Sequence, residues 1–365
     1  MYMLKKFLTS LALVMAVIGI GGCFEKDFNN APVIGVLTLP MRVGDIEEDG
    51  KYTPFDPETM DEEEHSHYIL YYSVSMYLEL AGARVVPIFH DASEEELIPL
   101  LNKLNGVLFS GGDLDLVDRE TEEYHIYTKT SEIIFNYALN RTDEGDEFPL
   151  FGICQGFQLL NILRSEERLL LKHGYADTKV NDYLYPHVDN YTESRLFSMI
   201  DHGKEKIYAQ EKVAINIHDW SVYLSDYTDD RPELAEFYQV LSYAEDDEEN
   251  VIVTAIGTSL FNSIEAHSYP IYGVQFHPER TFYRFSEKND YVRSPEARAL
   301  SEDLIFFFVE ETRKSNHTFD SWEELDKLTR QCQRRIYGNV EFTGEYTVPI
   351  LIDKDCLRQE TQVES

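Results

Sequence analysis

Phe148-Pro-Leu-Phe-Gly-Ile-Cys154-Gln-Gly-Phe-Gln158 sets a cysteine between two glycines where a short apolar run gives way to a helical pattern. The run from Pro149 to Ile153 reads as a strand buried on both faces, and Phe157 to Leu163 carries apolar side chains at helical spacing. Strand, Gly-x-Cys-x-Gly and helix together make a nucleophile elbow with sulfur in place of oxygen. Gly152 and Gly156 clear space where the turn brings backbone close to backbone. Cys154 then stands at a helix N-terminus, where unpaired N–H groups and the helix dipole favour thiolate. An inert buried cysteine beside two packing glycines is the alternative, and the coincidence of all three features weighs against it.

Working outward, the same alternation recurs. Pro32 to Leu39, Ala83 to Ile88 and Gly106 to Phe109 are strand-like runs, separated by helical patterns at Tyr68–Leu80 and Ser93–Leu104. Ser93 with Glu96 three residues on is a capping box. Thr130–Leu139 is a further helix, and strands alternating with helices imply parallel pairing through crossovers. An acidic loop covers Val43 to about Glu64, and residues 165–210 show no regular period. Strand-like runs return at Lys212–Asn216, Val251–Ile256 and Ile271–Phe276, with an acidic turn at 245–249. Pro295–Thr312 is a strong closing helix, and Ser321–Ile336 reads as one more before a charged tail.

A thiolate needs a base. Tyr272-Gly-Val-Gln-Phe-His277-Pro-Glu279 ends a strand with a histidine, and Pro278 stops further ladder bonding. Side chains two apart on extended backbone share a side, so Glu279 can accept the second imidazole proton of His277. Gly111 and Gly112, closing the strand that ends at Phe109, let backbone N–H groups turn toward an oxyanion, joined by the N–H of Gln155. A Gly-Gly pair alone is an ordinary turn; its weight comes from completing the set.

Composition narrows the function. The chain has 365 residues, 43% of them hydrophobic, and 32 Lys and Arg against 67 Asp and Glu, a net charge of -35. This is a folded globular protein, and such a balance excludes nucleic acid and polybasic membrane binding. Residues 1–22 carry two lysines and an apolar run ending Gly21-Gly22-Cys23, the layout of a secretory signal; its removal takes the net charge from -35 to -37. An uncleaved anchor is one alternative, and a lipobox in which Cys23 takes lipid is another. Sequons at Asn140, Asn190 and Asn316 are acceptors on a eukaryotic secretory route. Cys23, Cys154, Cys332 and Cys356 are too scattered for a disulfide framework or zinc site, though Cys332 and Cys356 are available to pair in an oxidising compartment.

The motifs Phe-Ser-Gly-Gly112, Gly-Ile-Cys154-Gln-Gly-Phe-Gln158 and Gly-Val-Gln-Phe-His277-Pro-Glu279 resemble those of the class I glutamine amidotransferase superfamily. Within it the chain is most similar to the gamma-glutamyl hydrolase family. That narrower likeness rests on Pro32–Leu37, Tyr77–Ile88, Leu104–Phe109 and Asn216-Ile-His218-Asp-Trp220-Ser221, and covers about residues 32–320. It implies a flavodoxin-like three-layer α/β sandwich with a mostly parallel central sheet. It implies a catalytic domain at 32–320 between the signal at 1–22 and a C-terminal helix and charged tail at 321–365. It also implies a Cys154, His277, Glu279 triad acting on gamma-glutamyl amides such as folylpoly-gamma-glutamates, with no cofactor and no metal.

His218 enters as a second active-site histidine, although the residues alone are as consistent with a packed or surface role. Gln158 enters as a substrate contact at a position where the resembled hydrolases often carry Glu and amidotransferases carry Gln. The expected partner is a small-molecule substrate, with a homodimer left open and no stable membrane association unless Cys23 is lipidated. The expected location is extracellular or lysosome-vacuole. The rival readings are a hydrolase of gamma-glutamylated amines and an inactive binding protein on the same fold.

Near a pI of about 4.5 the self-repulsion of the chain and its repulsion of an anionic polyglutamate both fade. Activity is therefore expected to peak on the acid side, and a pH–rate maximum well above neutrality would reduce the acidity to a surface property without functional meaning.

Overall fold

The computed structural model describes residues 29–42, 59–60, 66–173, 180–187, 194–201, 203–227, 231–245, 259–283, 285–286, 290–331, 333–335, 341–342, 345–346 and 349–352. The signal-like segment, Cys23, most of the loop at 43–64, the Asn190 sequon, the run at Val251–Ile256, residues 246–249, Cys332 and Cys356 lie outside these. The chain divides into units 1–30 and 31–365, and the second is the one described below.

One sheet organises it. In chain order its strands are β1 Val33–Leu37, β2 Arg84–Ile88, β3 Gly106–Phe109, β4 Leu150–Ile153, β5 Tyr185–Pro186, β6 Tyr238–Glu245, β7 Ser259–Ala266 and β8 Ile271–Val274. Across the sheet they run β2-β1-β3-β4-β8-β7-β6-β5. Pairing is parallel from β2 through β8 and antiparallel from β8 to β5. The parallel part has the doubly wound, flavodoxin-like order, which places ligands outside the carboxyl ends of the strands.

Helices cover both faces. Alternation along β1 sends Val33 and Leu37 to the core beneath α2 Glu94–Leu101, α3 Ile126–Asp143 and α4 Gln155–Arg164. It sends Ile34 and Val36 to the core beneath α1 Tyr72–Leu80 and α5 Pro295–Thr312. All five residues of β1 are buried, as a strand sandwiched between two helical layers requires. The α2 capping box forms as read, with Glu96 N–H donating to Ser93 Oγ and Ser93 N–H to Glu96 Oε2. Tyr77 of α1 donates to the Ser301 carbonyl of α5 at 2.5 Å, and Ser301 Oγ donates to the Pro278 carbonyl at 2.6 Å. The closing helix is thereby bonded to the segment that follows His277.

Two elements differ from the sequence reading. The helix expected from Tyr68 begins only at Tyr72, because Ser66–Tyr71 is a strand between Leu39–Arg42 and Pro349–Ile352. The helix expected over 321–336 is short, Trp322–Asp326, followed by a π-turn at Lys327–Gln331 and a strand at Gln333–Arg335 that pairs with Pro349–Ile352. In both cases strand pairing with Pro349–Ile352 overrides the local helical period. Part of the C-terminal segment therefore completes a four-stranded antiparallel sheet.

Backbone approaches backbone closely at the elbow. A Cβ on Gly152 would lie 2.5 Å from the Gly156 carbonyl oxygen, and one on Gly156 would overlap the Phe109 carbonyl. Both obstacles are backbone and cannot rotate away. Gly156→Ala is expected to destabilise the protein by about 3 kcal/mol or more, as overpacking against rigid backbone does; a thermal melt within about 2 °C of the parent would refute this.

Candidate active site

The carboxyl ends of β3, β4 and β8 bring Gly111 and Gly112, Cys154, and His277 to one place. Cys154 has φ 53° and ψ -106°, a sparsely populated conformation that costs about 1–3 kcal/mol in a non-glycine residue. The surroundings hold it there. Its N–H donates to the Val274 carbonyl at 2.8 Å, continuing the β4–β8 ladder, while its own carbonyl accepts from Gln158 N–H at 3.1 Å in the first turn of α4. The side chain is buried, and its thiol points to the Ile217 carbonyl at 3.8 Å.

His277 is fixed at both ends. Its N–H donates to the Ile215 carbonyl at 2.8 Å, and its ring Nδ1 is 2.8 Å from Glu279 Oε1. A carboxylate only accepts, so Nδ1 carries the proton and Nε2 is the basic nitrogen. Among the described residues no acceptor or donor completes a hydrogen bond to Nε2, and the side chain of Cys154 is the neighbour that acts on the ring together with Glu279. Burial and the Arg280 guanidinium press the His277 pKa down, but Cys154 and Glu279 outweigh them and it stands above its ordinary 6.5. For Glu279, burial pushes up while His277 and Arg280 pull down harder, and the carboxyl stays below its ordinary range. The pair is thus an imidazole poised to accept a proton beside a carboxylate that keeps its charge.

His218, Gln158 and Trp220 form a second group on the same cavity. His218 Nδ1–H is shared between the Trp220 carbonyl at 3.2 Å and Ser221 Oγ at 3.1 Å, which leaves Nε2 as the acceptor nitrogen. Burial, with the neighbouring His277 second, lowers its pKa to about 3, which favours the neutral ring. Gln158 Nε2 donates to the same Trp220 carbonyl at 2.6 Å and reaches Gln275 Oε1 at 3.4 Å. Its amide therefore anchors the loop that carries His218. Sequence reasoning placed Gln158 at the site but missed this anchoring, since no local pattern links it to a carbonyl far along the chain.

Gly111 and Gly112 lie where a side chain would not fit. A Cβ on Gly111 would sit 2.7 Å from His277 Cε1, and one on Gly112 would sit 2.6 Å from Gln155 Oε1. Gln155 grips the loop with both ends of its amide, Nε2 donating to the Leu114 carbonyl at 2.8 Å and Oε1 accepting from Leu114 N–H at 3.2 Å. The N–H groups of Gly112 and Gln155 have no acceptor among the described residues.

These residues line a cavity of about 450 Å³, within the range of small-molecule sites. Arg119, Arg168 and Arg280 also line it, and the sequence reading passed over all three. Among the described residues no three His, Cys, Asp or Glu side chains are grouped to hold a metal, and no helix is long and apolar enough to cross a membrane.

A flavodoxin-like sheet with a Gly-x-Cys-x-Gly elbow and a His-Pro-Glu strand end defines the class I glutamine amidotransferase-like proteins. The Peptidase C26 family matches residues 55–279. Gamma-glutamyl hydrolase of Homo sapiens is 34% identical over 281 residues, 76% of this chain and 81% of that protein. The Mus musculus gamma-glutamyl hydrolase is 32% identical over 70% of this chain and 74% of its own length, and gamma-glutamyl hydrolase B of Dictyostelium discoideum 31% over 82% and 77%. The chain belongs to the Peptidase C26 family, alongside these gamma-glutamyl hydrolases, and is an enzyme.

The low pKa of His218 has a consequence for stability. Its folded value of about 3 lies below the unfolded 6.5, so the unfolded chain takes up the proton first as pH falls. The stabilisation is complete above about pH 6.5 and is lost progressively toward pH 3. His218→Gln keeps a donor for the Trp220 carbonyl but does not titrate. Its melting temperature is expected to fall less than the parent's between pH 6.5 and 4, and parallel curves would refute the assignment.

Proposed function

We propose that this enzyme is a thiol hydrolase of gamma-glutamyl amide bonds, with folylpoly-gamma-glutamates as substrate. The observation that carries the reading is the meeting of the Cys154 elbow with the buried His277–Glu279 pair in one cavity, in a chain whose relatives bear the name gamma-glutamyl hydrolase.

Cys154 passes its proton to His277 Nε2, and the thiolate attacks the side-chain carbonyl of a gamma-linked glutamate. Glu279 holds the Nδ1 proton and stabilises the imidazolium that results. The N–H groups of Gly112 and Gln155, with the Gly111 turn, receive the oxyanion. His277 then gives its proton to the leaving amine, leaving a gamma-glutamyl thioester on Cys154. Water surrenders a proton to His277 as it attacks the thioester, and collapse returns the thiol and a free carboxylate. His218, neutral and fixed by the Trp220 carbonyl, orients the substrate, and Gln158 serves through the loop it anchors. Export through the segment at 1–22 would deliver the enzyme to an extracellular or lysosome-like compartment, where a Cys–His ion pair sustains thiolate chemistry at low pH.

Mass spectrometry of the products from folate pentaglutamate, with gamma-glutamyl amines as competitors, tests the substrate. Cys154→Ala is expected to abolish turnover with folding intact, because the methyl group needs no more room than the thiol it replaces. His277→Asn should lower kcat and kcat/KM together by orders of magnitude. His218→Asn should leave Cys154 open to alkylation by iodoacetamide and weaken hydrolysis mainly through KM. Residual hydrolysis by clean Cys154→Ala would end the covalent mechanism, and loss of alkylation in the His218 variant alone would exchange the two histidines' roles.

A further inference from the structure

Arg119 differs from the other cations of the cavity. Arg280 lies deep, within 3.7 Å of Glu279 and bonded to the Tyr291 hydroxyl, and Arg168 donates to the Glu122 carbonyl at 2.9 Å. Arg119 is exposed, and its guanidinium has neither an ion-pair partner nor a hydrogen-bond acceptor among the described residues. It sits 4.1 Å from the centre of the Trp220 ring. An aromatic face holds a guanidinium in place while its planar fork of N–H groups stays open to a carboxylate.

The loop beneath Arg119 is firm. Asp118 Oδ1 accepts from the N–H groups of Glu120 at 2.9 Å and Thr121 at 2.7 Å, and Val117 bridges to Tyr124. Arg168 packs 4.3 Å over the Tyr124 ring while it bonds Glu122. Trp220 is held in turn by its carbonyl, which accepts from both Gln158 and His218. Ordering of these groups precedes the ligand, which lowers the cost of binding. Asp113, Asp115 and Asp219 face the same cavity and repel an anion, in a chain of net charge -35.

Building on the gamma-glutamyl reading above, we propose that Arg119, on its Trp220 platform, reads an α-carboxylate of the glutamyl chain next to the scissile bond. It counters the repulsion of the three aspartates and makes the enzyme prefer gamma-linked glutamate with free α-carboxylates over neutral analogues. Arg119 is therefore a specificity determinant; the reaction itself stays with Cys154 and His277.

The test compares p-aminobenzoyl-gamma-triglutamate with the same compound carrying α-carboxamides, for the parent enzyme, Arg119→Gln and Arg119→Lys. The quantity read is the ratio of kcat/KM for acid over amide. Loss of one charge-assisted contact should lower that ratio about tenfold in Arg119→Gln, through KM, with Arg119→Lys intermediate. An unchanged ratio in Arg119→Gln overturns the inference, including the case in which both substrates slow equally because the loop was merely disturbed. Hydrolysis of neither compound by the parent enzyme fells the gamma-glutamyl reading and this inference with it.

Discussion

Helix α4 starts with Gly156 pressed against the Phe109 carbonyl and with the Gly156 carbonyl against Gly152. Backbone meets backbone across β3, β4 and α4 there, and nothing larger than hydrogen fits between them. The chain can leave β4 and enter α4 within one residue only by taking Cys154 to a positive φ. The cost of that conformation is met by the Cys154 N–H bond to Val274 and by the core packed around the elbow. Gly111 follows the end of β3 and Cys154 the end of β4, the two strands this contact brings together, and His277 follows β8, which pairs with β4.

Burial controls the electrostatics that result. His277 and Glu279 are each 3% exposed, so their interaction operates in a medium far less screening than water. Cys154 and Glu279 oppose burial at His277, and His277 and Arg280 oppose it at Glu279. At His218 burial wins. Three residues with similar surroundings therefore hold different charges: an imidazole that accepts a proton readily, a carboxylate that resists one, and a second imidazole that stays neutral.

The Trp220 carbonyl is the point where the second half of the site is joined to the first. It accepts from Gln158 on α4 and from His218 on the loop after the Ala214–Ile215 strand, while the Trp220 ring supports Arg119. Ile215 accepts from His277 N–H, and Ile217 accepts from the Cys154 thiol. The segment between the short strands Ala214–Ile215 and Trp220–Ser221 is thus tied by its carbonyls to the residues that surround the cavity.

Much of this was legible in the residues. Continuous apolar runs at Val33–Leu37 and Leu150–Ile153 read as strands covered on both sides, and Gly152, Cys154 and Gly156 between strand and helix patterns read as a tight strand-to-helix turn. The His277-Pro-Glu279 spacing led to the imidazole–carboxylate pair by geometry alone, because residues two apart on extended backbone share a side. Local chemistry of this kind is written in neighbouring letters. The strand at Ser66–Tyr71, the anchoring of Gln158 to Trp220 and the seating of Arg119 on that ring were decided by tertiary structure. Each joins segments far apart in the chain, and a pairing of that kind has no period and no motif, only the shape of the folded molecule to bring it about.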